Sequence, residues 1–205
     1  LLQRRPDEWA WRRDLGRVQQ RLADFYGGVD NDSRKQLAKA REAEGQLQRA
    51  LDAAVAAKAS ARDQAELHTL LSSARLAQAF AMDWIDESPA AIALASAEEA
   101  RLLALPETLR REMDFGYRAG RAAGQLGDSL FFLDRFEESL AAYRRAQQRY
   151  AQALERAPND RRLLDGSAVS RWAASLAASE LGRHAEALAD SDTGIALVGR
   201  RIALD

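Results

Sequence analysis

The sequence predicts an all-α fold, a right-handed superhelical solenoid of about four antiparallel helix pairs, and three observations predict it. Of 205 residues, 43 are alanine, which enters a helix without losing side-chain entropy. Val, Ile and Thr are scarce, and no window alternates apolar with polar residues over the length of a strand. The chain also repeats itself. The run Asp134-Arg135-Phe136-Glu137-Glu138-Ser139-Leu140 is echoed about 48 residues later by Gly182-Arg183-His184-Ala185-Glu186-Ala187-Leu188. The same step from Ser139 reaches Ala187 in one direction and Ala91, then Ala43, in the other. The positions twelve before the last three units' markers, Gly127, Ser175 and Ala79, are small as well, as required where two helices of a hairpin cross closely. A hairpin of this kind leaves an apolar face open until its neighbour stacks on it, which gives a solenoid.

The elements follow from apolar spacing and punctuation. A first helix from about Asp7 to Tyr26 has Trp11, Leu15, Val18, Leu22 and Phe25 on one face, and Gly27-Gly28 is expected to end it in the left-handed conformation. A second runs from about Ser33 through Leu37, Leu47 and Leu51 into the alanine-rich stretch ending at Ala61. The third covers about Asp63 to Ile85. Ser88-Pro89 reads as N-cap and first-turn proline of the fourth, which carries Ile92, Leu94, Leu102 and Leu103. Pro106 opens a fifth that reaches Leu133. Asp134 to Glu137 has capping-box spacing and starts a sixth that ends near Arg156. Pro158-Asn159-Asp160 breaks the chain and caps a seventh, about Arg161 to Leu181, closed by Gly182. The eighth runs from about His184 to the end. The expected organisation is one domain, 1-205, in helix pairs at roughly 7-60, 61-104, 106-157 and 160-205, with short links and antiparallel neighbours.

Composition excludes several classes of function. With no Cys, there is no thiolate nucleophile, zinc finger, iron–sulfur cluster or disulfide framework. The compartment stays open: cytoplasmic or, behind a membrane span in a longer chain, periplasmic. A net charge of -1 supplies no positive field for phosphate, so no nucleic acid is expected as a partner. No apolar run approaches the ~18 residues of a membrane span, and no direct membrane insertion is expected. The chain opens at Leu1 rather than Met and is expected to be a fragment of a larger protein.

Catalytic signals are weak. The two histidines, His68 and His184, are far apart in sequence and have no second ligand at i+4. Glu98-Glu99 and Glu137-Glu138 are adjacent pairs that point about 100° apart on a helix, and read as solvated surface. Gly120-x3-Gly124-x2-Gly127 lacks the strand and the Lys-Ser/Thr of a phosphate loop and reads as close helix packing. Asn31-Asp32-Ser33 fits a glycosylation sequon but also a helix cap. No catalytic residue, metal or cofactor is expected, and the chain is not expected to be an enzyme.

The repeat resembles the tetratricopeptide family. Its sharpest unit is Arg121 to Ala146, where Leu126-Gly127, Phe136, Tyr143 and Ala146 stand at the family's Leu-Gly, aromatic and Ala positions and Ser139 replaces its Ala. The last unit matches through Gly182, Ala187 and Leu188, with Ser191 and Gly194 where an aromatic and an alanine are usual. The 48-residue step departs from the family's 34. In cadence the chain looks like the C-terminal repeat region of large bacterial signalling proteins, such as Ser/Thr kinases.

The resemblance implies that the first helix of each pair lines a concave groove. In the register of Ala79, Gly127 and Ser175 the lining is Phe80, Asp83 and Trp84, then Arg121, Asp128, Phe131 and Phe132, then Val169, Trp172, Leu176 and Glu180. A lining this aromatic implies burial against a protein or peptide segment, with the acidic residues orienting a basic or amide-rich one. The family's carboxylate clamp for chaperone tails is not matched, since its places hold Gln20, Asp24, Leu76 and Phe80. The expected function is therefore that of a protein-interaction domain, the regulatory or sensory part of a signalling protein. The alternatives are a small-molecule sensor with its ligand between Trp84, Phe131 and Trp172, and a scaffold that forms homo-oligomers through the C-terminal helix, whose Ile195, Leu197, Val198, Ile202 and Leu204 are apolar.

Overall fold

The computed structural model describes residues 9–204. Among them are nine α-helices: α1 (Trp9–Gly28), α2 (Ser33–Ala56), α3 (Ala61–Asp83), α4 (Ser88–Leu103), α5 (Glu107–Glu112), α6 (Phe115–Phe131), α7 (Phe136–Arg156), α8 (Arg161–Glu180) and α9 (His184–Ile202). No strand occurs among the described residues. The all-α expectation holds, and most boundaries fall within a turn of those read from the sequence. The expected start of the first helix at Asp7 lies outside the described residues.

Three local expectations are corrected. The helix expected from Pro106 to Leu133 is two helices, because Met113 adopts an extended backbone (φ -121, ψ 165) between α5 and α6. Gly27 and Gly28 remain helical, and the left-handed residue that ends α1 is Asn31 (φ 50). Asp134 forms no capping box. It takes φ 57 in the turn before α7, so Arg135 is the N-cap residue, and its guanidinium pairs with Glu138 instead.

The turns reproduce the 48-residue period in backbone form. Asp86, Asp134 and Gly182, at equal 48-residue steps, all have positive φ (63, 57 and 72). One residue on, the N–H groups of Glu87, Arg135 and Arg183 donate to the carbonyls of Met82, Leu130 and Ala178, also 48 apart. This is the wrap-around bond that satisfies orphan carbonyls at a helix end, and only a left-handed residue allows it.

The chain divides into two compact units. The first comprises the described residues up to Leu94 with Ala104–Asp114, and the second comprises Ala95–Leu103 with the described residues from Phe115 onward. In the first, α1 packs on α2, α2 on α3, and α5 on α3. Its core joins Leu47, Leu51, Leu67 and Leu71 to small alanines. Glu44 accepts from Arg75 and Gln78 and ties α2 to α3, while Arg13 and Arg17 both reach Glu66 and tie α1 to α3. The apolar face of α1 is not the one it buries. Gly16, Gln20 and Ala23 are buried, with Gly16 against Leu47 of α2, so Val18, Leu22 and Phe25 are turned outward.

In the second unit α6, α7, α8 and α9 form consecutive antiparallel contacts, and α6 also touches α8. Two tyrosines of α7 organise it. A Cβ at Gly127 would lie 2.6 Å from the Tyr143 ring, and Cβ atoms at Gly120 of α6 and Gly166 of α8 would each lie 2.7 Å from the Tyr150 ring. Glycine is what lets both neighbouring helices close on these rings. Ser139 Oγ, the repeat's small residue, donates to the Gly127 carbonyl at 2.8 Å across the same crossing. Gly127→Ala is expected to lower stability by about 1–2 kcal/mol, overpacking outweighing the helix gain. Gly124→Ala, where nothing lies within 4 Å, is expected to raise it by up to about 1 kcal/mol. Urea midpoints of the two variants check the contrast.

Glu98 and Glu99 correct the expectation of solvated surface. Glu98 is fully buried and bonded at both oxygens by Arg101, at 2.7 and 2.6 Å. Glu99, also buried, takes a two-pronged pair from Arg145 of α7. The forked guanidinium geometry satisfies both carboxylate oxygens, which is what makes burial tolerable.

Candidate functional site

The residues expected to line a groove fall in both units. Phe80, Asp83 and Trp84 belong to the first, and Arg121, Asp128, Phe131, Phe132, Trp172, Leu176 and Glu180, with Val169, to the second. Phe80 of α3 and Trp84, the C-cap residue that follows this helix, are exposed one turn apart, their rings tilted at 6.1 Å between centroids. Asp83 is buried, so it is not part of an open lining. It follows Ala79 by four residues, and Ala79 faces inward.

In the second unit the outward arcs of α6 and α8 repeat one another. On α6, Arg121 is exposed and Asp128 half-buried, Phe132 is exposed in the turn just past the helix, and on α8, Val169, Trp172, Leu176 and Glu180 are all exposed. Trp172 is 61% exposed and Phe132 50%. Val169, Trp172 and Leu176 follow i, i+3, i+7 spacing, so they form one continuous apolar strip. The inward arc of α8 is filled by Leu163, Leu164, Ala173, Ala174, Ala177 and Ala178, which leaves the strip no place in the core. Phe131 is different. It is half-buried, edge-on to Phe136 at 5.2 Å, and packs on Leu140, Tyr143 and the alanines of α8. Phe131 thus packs against the core of the second unit, and Trp84 belongs to the first.

Polar groups edge the strip. Asp128 accepts from the Tyr143 hydroxyl at 2.7 Å. Burial pushes its carboxyl above the usual carboxylate range, partly countered by the Tyr143 bond and the nearby Arg121. A carboxyl whose folded pKa is raised stabilises the fold at low pH and loses that contribution as pH rises through the folded value. Asp128→Asn keeps an acceptor for Tyr143 and removes the charge. It is therefore expected to raise the urea midpoint at pH 7, with the gain shrinking as pH falls into the ordinary carboxylate range. Midpoints of wild type and variant measured across that range check the sign.

Sequence reasoning missed the strongest polar cluster. Asp190, 2% exposed, accepts from Arg144 of α7 at 2.7 Å and from Arg171 of α8 at 2.8 Å. Arg144 also reaches Glu186, and Gln147 carries the network to the Ser170 carbonyl. The hydrogen bond to the Asp190 carboxylate holds the Arg144 guanidinium pKa above its ordinary value. Asp190 precedes the repeat marker Gly194 by four residues, and nothing in its neighbours in sequence marks it as inward. The cluster braces three helices and is structural.

Among the described residues no group of three or more His, Cys, Asp or Glu is placed to hold a metal ion, and no helix is long and apolar enough to cross a membrane. His68 and His184 belong to different units. No protein-family model matches the chain, and no curated protein matches it either.

Proposed function

We propose that the chain is a non-catalytic protein-interaction domain whose recognition face is the outward surface of α6 and α8. Its hairpins are read as tetratricopeptide-type pairs that stack in a right-handed solenoid, and the whole as the regulatory or sensory part of a bacterial signalling protein. The observation that carries this reading is the strip of Val169, Trp172 and Leu176, exposed on a first helix of a pair, with Phe132 exposed just past the end of the equivalent helix before it. Large apolar side chains held on rigid helices lose little entropy on binding, and aromatics dominate binding hot spots. Arg121 and Glu180 at the strip's edges would fix the direction of a bound segment without supplying most of its affinity. An extended or helical peptide with apolar anchors fits this chemistry.

The test is selection of peptides from a random display library on the purified chain. Peptides that bind wild type are expected to lose at least tenfold in affinity for Phe132→Ala/Trp172→Ala, equivalent to about 1.4 kcal/mol. Unchanged affinity, with the fold intact by circular dichroism, would move the binding face elsewhere.

A further inference from the structure

The face formed by α6 and α8 carries its charges unevenly along its length, and one ring fixes how the two helices lie. Tyr150 of α7 closes on Gly120 of α6 and on Gly166 of α8. Both helices are antiparallel to α7, so they run the same way from that level. Four residues on stand Gly124 of α6 and Ser170 of α8, which puts Gly124 at the height of Val169 and Trp172 in the apolar strip. A Cβ at Gly124 would meet nothing within 4 Å. There α6 leaves a gap beside the strip.

Arg121, three residues before Gly124 and so its neighbour on the helix surface, is exposed and forms no hydrogen bond or ion pair among the described residues. Other charges at this end are engaged. Arg118 and Arg162 both stack over the Tyr117 ring, at 5.4 and 5.3 Å. Arg162 also lies 3.6 Å from Asp160, and Asp165 lies 3.5 Å from Arg201 of α9. The acids expected to orient a basic segment do not face Arg121's end of the strip with a free charge. Asp83 is buried in the first unit. Asp128 accepts from the Tyr143 hydroxyl, and burial raises its pKa and so favours its neutral form. Glu180 is exposed, but at 1.5 Å of rise per residue it lies about 20 Å further along the face than Arg121. That is more than two screening lengths at physiological salt.

We infer that the segment held by this face is acidic rather than basic: an Asp or Glu side chain lies over Gly124 and pairs with Arg121, while its apolar neighbours pack on Val169 and Trp172. This rests on the reading of α6 and α8 as a recognition face and names the chemistry of the partner. A guanidinium donates two parallel N–H bonds to a carboxylate. The missing side chain at Gly124 gives the acid room to reach it. Apolar residues of the segment, seated on Trp172 beside the pair, keep water away and strengthen it. Arg118 and Arg162 add positive potential at the same end, which favours the encounter with an acidic segment.

Peptides selected from a random display library on the purified chain, then synthesised with both termini blocked so that every carboxylate is a side chain's, test this. Their consensus is expected to hold one Asp or Glu at a fixed distance from the apolar anchors. Changing that acid to its amide should cost about tenfold in affinity for wild type and almost nothing for Arg121→Gln. Selection repeated on Arg121→Glu should return Lys or Arg at that position and keep the apolar ones. Gly124→Leu, which fills the gap at a position where the helix has room, should weaken the same peptides about tenfold with helical circular dichroism retained. Peptides that need Trp172 but show no acidic position would overturn the inference and leave the recognition face standing. So would an acid whose loss costs the same with Arg121→Gln as with wild type, or binding unchanged by Gly124→Leu. Peptides indifferent to Phe132→Ala/Trp172→Ala as well as to Arg121→Gln would overturn both readings.

Discussion

Tyr150→Ala is expected to lower the stability of the second unit by about 3–5 kcal/mol, the cost of removing a buried aromatic ring whose site cannot collapse. Tyr150 is 2% exposed, and its ring fills the space between glycines on two different helices. Those glycines have no side chains with which to fill the void. Burial pushes the Tyr150 phenol pKa up, yet the hydroxyl contributes far less than the ring, so Tyr150→Phe should stay within about 1 kcal/mol of wild type. A double-mutant cycle makes the geometry explicit. Gly166→Ala should be costly in wild type and tolerated beside Tyr150→Ala, with a coupling energy of about 1–3 kcal/mol. Urea unfolding followed by circular dichroism measures all four corners.

Asp190→Ala should cost about 3 kcal/mol by the same measurement. Removing one partner of a buried ion pair leaves its counterions uncompensated, and here two guanidiniums would face each other across the vacated site. Arg144 and Arg171 are about a third exposed, which keeps the expected loss at the low end of the range for buried pairs. The exposed Arg135–Glu138 pair is the contrast. Although its bonds are short, at 2.7 and 2.6 Å, Arg135→Ala should leave the urea midpoint almost unchanged, because solvent screens an exposed pair. Replacing Asp190, Arg144 and Arg171 together by apolar residues of similar volume should recover most of what Asp190→Ala loses.

What the sequence revealed and what it hid divide along physical lines. Helix identity was legible because alanine content, breakers and apolar spacing are local properties. The 48-residue period was legible too, because Asp86, Asp134 and Gly182 answer one steric demand, a left-handed residue at a helix end. Side-chain direction was less so. Trp11, Val18, Leu22 and Phe25 make an apolar face, but α1 buries Gly16, Gln20 and Ala23, since a close helix crossing favours small residues over large ones. Phe131 and Phe132 look alike in sequence, yet one ring enters the core and the other stays outside, because successive residues point about 100° apart. Glu98, Glu99 and Asp190 read as surface charges. Their partners lie three residues away for Glu98 and on other helices for Glu99 and Asp190, and pairings of the latter kind appear only once the chain is folded. The break at Met113 has no punctuating residue of its own, and the neighbouring Asp114 gives only a weak signal.

The central claim is that recognition occurs on the outward face of α6 and α8, and the indole N–H signals of the four tryptophans test it most directly. Trp9 packs on the first core, Trp84 ends α3, and Trp172 stands in the apolar strip of α8. Titration with a library-selected peptide is predicted to move the Trp172 indole resonance in proportion to occupancy while the Trp9 resonance stays in place. A saturating peptide that leaves Trp172 unmoved would contradict the account.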